Sequence, residues 1–353
     1  MRFGFTEDQL LFQSTLRDFL AKECPPATIR ALWESETGHD AALWTKLSAL
    51  GVPGLLVPEA HDGLGRDEID LALLLEEAGR AALCGPIVST AAIGAPLLAE
   101  IPAPALRERW LPRVASGEAR IAVGLPGLRF VSDAGDATLL LLPHADEVHA
   151  LAPDAVQLVR EPASDPARRI FTVSFTASSA TRVAAGEDAR RALATAFDRA
   201  ALAAAAQAIG VADRLVDMTC AYARERRQFD VPIGSFQAVK HMLAGVSVRL
   251  EYARPAVHRA AWSVARGLAA RSTHVSHAKL AATAAARLAA RVALQVHGAI
   301  GYTWEQDLHL WLRRAWSLDL DAGGEGHHRA RVANAVLADG ARVGPGETFA
   351  GEA

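Results

Sequence analysis

The chain is short of several things, and each shortage excludes something. Its 353 residues include only three cysteines, Cys24, Cys84 and Cys220. They are odd in number, scattered and in no metal-binding spacing. That excludes a disulfide framework or a cysteine-held metal, and it fits a reducing, cytoplasmic setting. Charge of one sign is also lacking: 37 Lys+Arg against 40 Asp+Glu leave a net charge of −3 and a pI near 6.5. No basic field exists to hold nucleic acid or an anionic membrane surface, so an anionic ligand has to be met by local arginines. The start carries no basic region followed by an apolar run, and no signal peptide is expected. Alanine-rich sequence approaches membrane-span length near residues 200–211, but Arg199 and Asp213 interrupt it. Apolar residues are abundant, at 51% of the chain, enough for large cores in two or three domains.

Thr6 opens a capping box with Gln9 and a helix whose apolar face is Phe12, Leu16, Phe19 and Leu20, stopped at Pro25-Pro26. A second helix carries Leu43, Trp44, Leu47 and Leu50, and Gly51 closes it. Helices resume at 67–82 and 88–98 after a loop dense in glycine and proline. Short β-prone runs at 120–124, 137–142, 156–160 and 170–176 then mark a small β domain. From Gly186 the helical period returns, with long helices expected at 188–226, 236–269, 273–296, 303–318 and 326–339, the second kinked at Pro255. Long antiparallel helices with short joints make a four-helix bundle. The expected fold is mainly α with a small β domain: an N-terminal helical domain at 1–101, a middle β domain at 102–185, a C-terminal bundle at 186–345 and a tail at 346–353.

Two stretches carry chemistry. Residues 224–243 read RERRQFDVPIGSFQAVKHML. Asp230, Pro232 and Gly234 mark a joint between two long helices, and Ser235 is the expected N-cap of the second. From Phe236 the apolar steps Val239, Leu243, Val246, Leu250, Ala253, Val257, Ala260 and Val264 hold an a/d seam for about four heptads. Arginine forks beside Gln228 and Phe229 suit a phosphate and a stacked ring, or form a solvated helix end. Residues 295–314 read QVHGAIGYTWEQDLHLWLRR. There Gly298, Ala299 and Gly301 permit a close backbone approach beside the Gln295 amide, or a plain interhelical turn.

The domain order and these two stretches closely resemble the acyl-CoA dehydrogenase family, as do the FTEDQ start and the loop LGVPGLLVPEAHDGLG. The resemblance spans almost the whole chain. It implies an FAD enzyme that removes hydrogen from the α and β carbons of an acyl-CoA thioester, a carboxylate taking the α proton. By resemblance Arg226, Gln228 and Phe229 contact the pyrophosphate and adenosine of FAD and Gln237 lies near the same ribose, with Gln295, Gly298 and Ala299 approaching from the other stretch. In the family these groups serve a neighbouring subunit's FAD, so a dimer or tetramer is implied, with electron-transfer flavoprotein as electron acceptor.

Departures from the family pattern change the expectation. The T-E-P-G-A-G-S-D type loop is replaced by Ala122-Val-Gly-Leu-Pro-Gly127, which runs straight into a segment resembling the flavin-packing strand, with Phe130 and Ser132 in its aromatic and hydroxyl places. The β domain is therefore shortened and should grip a flavin ring poorly. Of the two positions that hold the family's catalytic carboxylate, one aligns with Ala322 and the other with Ala200; a nearby CoA-holding arginine aligns with Ala201. Alanine cannot abstract a proton. Asp321 and Glu325 are the acids left as catalytic candidates, with Asp198 expected to cap or pair on the helix surface. His327-His328 makes no metal site, because adjacent helix positions point about 100° apart. Some relatives in steroid side-chain degradation resemble two-subunit enzymes in which one subunit has lost the base, and this chain fits that role. A self-sufficient enzyme with a relocated base and a flavin-free scaffold are the alternatives.

Overall fold

The computed structural model describes residues 4–341 together with 343 and 344; the tail expected at 346–353 lies outside the described residues. The N-terminal helices are α1 (Glu7–Glu23), α2 (Pro26–Glu34), α3 (Ala41–Ala49), α4 (Glu68–Arg80), α5 (Ala95–Glu100) and α6 (Pro104–Ala115). The Thr6–Gln9 capping box forms as the sequence implies. Two helices go beyond the sequence reading. Helix α1 ends at Glu23, before Pro25-Pro26 as expected, and Pro26 is also the first residue of α2, where the missing N–H costs nothing. Residues 104–115, which the expected boundary at 102 put in the β domain, are the helix α6, its Trp110, Leu111 and Val114 buried. Residues 88–94, expected as ordinary helix, are π-helical before α5 begins.

Seven short strands follow: β1 (Ile121–Val123), β2 (Val131–Ser132), β3 (Leu139–His144), β4 (Glu147–Leu151), β5 (Gln157–Glu161), β6 (Ile170–Ser174) and β7 (Arg182–Ala185). They make one sheet in the order β1-β3-β4-β7 and a second in the order β2-β6-β5. Alternation along β3 shows why two sheets form. Leu140 and Leu142 join Ala122, Val131 and Leu151 in a small core with Phe171 and Val173, while Leu139 and Leu141 belong to the main core.

The bundle consists of α7 (Gly186–Glu225), α8 (Gln237–Ala265), α9 (Arg271–His297), α10 (Leu308–Leu320) and α11 (Glu325–Val336). At 40 residues α7 is about 60 Å long. Its backbone meets that of α4 directly: a Cβ on Gly210 would stand 1.8 Å from the Glu76 carbonyl oxygen, and one on Gly79 2.1 Å from that of Gln207. The seam read from the sequence is the buried face of α8 from Val246 to Val264, and the helix continues through Pro255. Ser235 does not cap it. Its hydroxyl turns back to the Pro232 carbonyl (2.7 Å), and Phe236 takes the cap position with no side-chain bond.

Candidate functional site

The two motifs meet at one end of the bundle. Tyr222, in the last turn of α7, stacks on His297, the last residue of α9, with ring centroids 4.3 Å apart and planes 18° apart. Beyond Tyr222, strands β8 (Arg227–Gln228) and β9 (Val231–Pro232) form a hairpin closed by Phe229 and Asp230, both left-handed at φ 53° and 63°. A two-residue turn of this kind favours Asn-Gly; Asp230 tolerates the left-handed region, but Phe229 is strained there by roughly 1–2 kcal/mol. Phe229 projects from this turn, 88% exposed, edge-on to Phe236 at 6.2 Å. Arg226, Gln228 and Gln237 are exposed around it, and across the Tyr222–His297 stack lie exposed Gln295, Gly298 and Ala299. Gly298 sits at φ 66°, ψ −142°, backbone that only glycine adopts readily, yet a Cβ there would touch nothing. The space beside it is open.

The second place is a cleft between the three domains. It is lined by Phe130 and Ser132 of the β domain, Ser89 and Cys84 from the N-terminal helices, and Ala200, Asp321 and Ala322 of the bundle. So Ala200 and Ala322, the alanines expected at the family's base positions, line one cavity. Its free space is about 90 Å³, against the roughly 300–1,000 Å³ of clefts that hold organic ligands. Polar bridges cross it. Arg168 donates to Ser132 Oγ (3.1 Å) and pairs with Asp321 Oδ2 (2.8 Å); Ser89 Oγ donates to Asp133 Oδ2 (2.7 Å). Burial alone would raise the Asp321 carboxyl, but Arg168, with Lys279 behind it, holds it below its ordinary range. Burial raises Asp133 against the opposing Ser89 hydrogen bond. Sequence reasoning missed Arg168, Asp133 and Ser89; the paired arginines at 168–169 were the one visible signal.

The other acids stand elsewhere. Glu325 is outside the cleft lining, in ion pairs with Arg329 (2.6 Å) and Arg287 (2.9 Å) that hold its carboxyl low. Asp198, expected on the surface, is fully buried. It binds Arg331 (2.7 Å), Ser272 (2.6 Å) and Arg271 (3.3 Å) and is not available as a base. His328 is buried, its Nε2 donating to the Ala322 carbonyl (3.0 Å) and its Nδ1 accepting from Ser276 (3.1 Å), with its pKa pushed down to about 4 by burial. Lys279 donates to the carbonyls of Leu318 (2.6 Å) and Asp319 (3.2 Å) at the C-terminus of α10. Together these two groups fix the loop that carries Ala322. Among the described residues no group of three or more His, Cys, Asp or Glu could hold a metal, and no helix is long and apolar enough to cross a membrane.

The N-terminal domain profile of acyl-CoA dehydrogenases matches residues 6–118, and the C-terminal domain profile matches residues 190–337. The chain is 34% identical over 312 residues to the acyl-CoA dehydrogenase IpdE2 of Mycolicibacterium smegmatis, covering 88% of this chain and 93% of that one.

The chain belongs to the acyl-CoA dehydrogenase family.

A second acyl-CoA dehydrogenase, IpdE2 of Mycobacterium tuberculosis, is 32% identical across 88% of the chain and 91% of its own length. The fold matches a chain of the ChsE4-ChsE5 complex from Mycobacterium tuberculosis with a TM-score of 0.84 at 24% identity, over 96% of this chain and 99% of that one. Residues 119–189, which hold all seven strands of the β domain, lie between the two profile matches. Acyl-CoA dehydrogenases depend on FAD, and the two places suit that cofactor unequally. The hairpin offers exposed guanidinium and amide donors, an exposed ring and open backbone, which fit a pyrophosphate and an adenine. The cleft offers about 90 Å³ crossed by an ion pair and does not fit an isoalloxazine ring.

Proposed function

We propose that this chain is a subunit of an FAD-dependent acyl-CoA dehydrogenase that completes the cofactor site of a partner chain without supplying the base. The reaction is α,β-dehydrogenation of an acyl-CoA thioester. FAD supplies hydride acceptance at the β carbon, and a carboxylate on the partner takes the α proton. Arg226 and Gln228 would donate to the pyrophosphate, Phe229 would hold the adenosine, and Gln237, Gln295, Gly298 and Ala299 would line the approach. Electron-transfer flavoprotein would be the electron acceptor.

One observation carries the reading. Ala200 and Ala322 line the same cavity, where Asp321 is committed to Arg168. A base held low by a guanidinium abstracts protons poorly, and Glu325 is outside the cavity. A self-sufficient enzyme using Asp321 or Glu325 is therefore disfavoured. The names of the IpdE2 relatives support the reaction, and a structural neighbour is one chain of a two-component complex, the assembly this reading needs.

The test expresses the chain alone and together with a second dehydrogenase-like chain that carries a glutamate at the place of Ala322. Acyl-CoA should bleach the flavin only in the co-expressed complex. A homo-oligomer of this chain alone, with stoichiometric FAD and bleached by acyl-CoA, overturns the proposal. A complex with a flat visible spectrum leaves the scaffold reading in its place.

A further inference from the structure

The short β5–β6 connection, residues 162–169, runs along the boundary where the three domains meet, and its charged residues reach into all of them. Asp165, fully buried, pairs with Arg314 of α10; Arg314 also donates to the carbonyls of Leu83 (3.0 Å) and Ala82 (3.3 Å), just beyond α4. Arg169, 3% exposed, lies across the C-terminus of α2 and donates to the carbonyls of Leu32 (3.1 Å), Trp33 (3.2 Å) and Glu36 (3.3 Å). A cation at a helix C-terminus is favourably placed against unpaired carbonyls. Arg168 crosses the cleft itself, from Ser132 on β2 to Asp321 after α10, with Ser317 Oγ 3.4 Å away. One connection and one arginine from α10 thus tie the N-terminal helices, both edges of the cleft and the bundle together.

We infer that this arginine seam occupies the place of the flavin ring in the chain's own cleft, and that the cleft is a permanent joint between domains rather than a cofactor site. The inference rests on the family reading, which sets Ser132 on the flavin side and Ala322 on the substrate side, since Arg168 spans that gap. A flavin ring between Ser132 and the 317–322 segment requires Arg168 to leave both partners. Its guanidinium would then be largely buried without a carboxylate, which costs more than an uncharged contact returns. Where the resemblance puts a flavin-holding loop the chain reads Ala122-Val-Gly-Leu-Pro-Gly127, and the β5–β6 connection closes the opening.

Hydrogen exchange of the full chain, purified alone and measured with and without added FAD or ADP, tests the inference. Protection should increase at 226–229 and 295–299 with either nucleotide and stay unchanged at 130–133, 164–169 and 317–322. FAD-specific protection at 130–133 and 317–322 overturns it, whether or not the chain turns over acyl-CoA, so this failure is distinct from failure of the subunit reading. A variant gives a second measurement in the complex. Arg168→Ala should lower Tm by about 5 °C while the flavin content per complex stays the same. An unchanged Tm with flavin content at least halved identifies Arg168 as a cofactor contact and sinks the seam.

Discussion

The hairpin at the bundle end and the cleft between the domains use the same residue types, arginine beside an aromatic and a small residue, and differ in whether those groups are satisfied. At the hairpin Arg226 is exposed, Phe229 projects outward from a left-handed turn, and Gly298 faces open space. In the cleft Arg168 and Arg314 are paired with Asp321 and Asp165, and Arg169 is surrounded by carbonyls. Groups left unpaired and held in place are set for a ligand or a second chain. Groups paired within the chain hold the fold.

The contrast can be broken by substitution. Arg314→Leu leaves Asp165 buried without its partner and should lower unfolding free energy by about 3–5 kcal/mol, measured in urea; a loss under 1 kcal/mol means the seam is ornamental. Lys279 sharpens the cleft side through pH. Burial lowers its folded pKa from 10.5 to about 8, so between those values the unfolded chain binds more protons. Stability should therefore rise with pH from about 8 to 10.5, by about 3 kcal/mol from this group, and Lys279→Met should abolish the rise. On the hairpin side, Arg226→Ala should leave urea unfolding of the chain unchanged and weaken flavin retention by the co-expressed complex about 10–100-fold, the loss of one charge-assisted contact. Phe229→Gly relieves a left-handed residue and should stabilise the isolated chain by up to about 1 kcal/mol while lowering flavin retention. Asp321→Asn and Glu325→Gln should leave turnover of the complex within about twofold; a hundredfold loss in either makes that residue the base.

Asp321 carries a pH dependence of opposite sign. Its carboxyl is held low in the folded chain, so the stability from its pairing with Arg168 is present above the unfolded carboxylate value near 4 and is lost as pH falls through the depressed folded one.

Periodicity and local capping are short-range, and they were legible: the Thr6 box, the seam of α8 and the long bundle helices come from spacing within a few turns. The helices at Pro26 and Pro104 were hidden because proline reads as a breaker until the chain path makes it a first turn. The π-helical stretch at 88–94 has no signature in composition. In the candidate site, Phe130, Ser132, Ala200, Asp321 and Ala322 could be named in advance because a family pattern supplied their places, and the cleft does bring them together. Arg168 and Asp133 could not, since their roles depend on partners far along the chain, Asp321 and Ser89.

The sequence by itself determined the order of helical, β and helical segments, the missing carboxylates and the arginine-aromatic joint, because each is a matter of residue identity or local spacing. Only the tertiary structure decided which arginines are free and which are consumed. Electrostatic pairing falls off within a few ångströms, and neighbours that close, 149 residues apart for Arg314 and Asp165, exist only once the domains have packed.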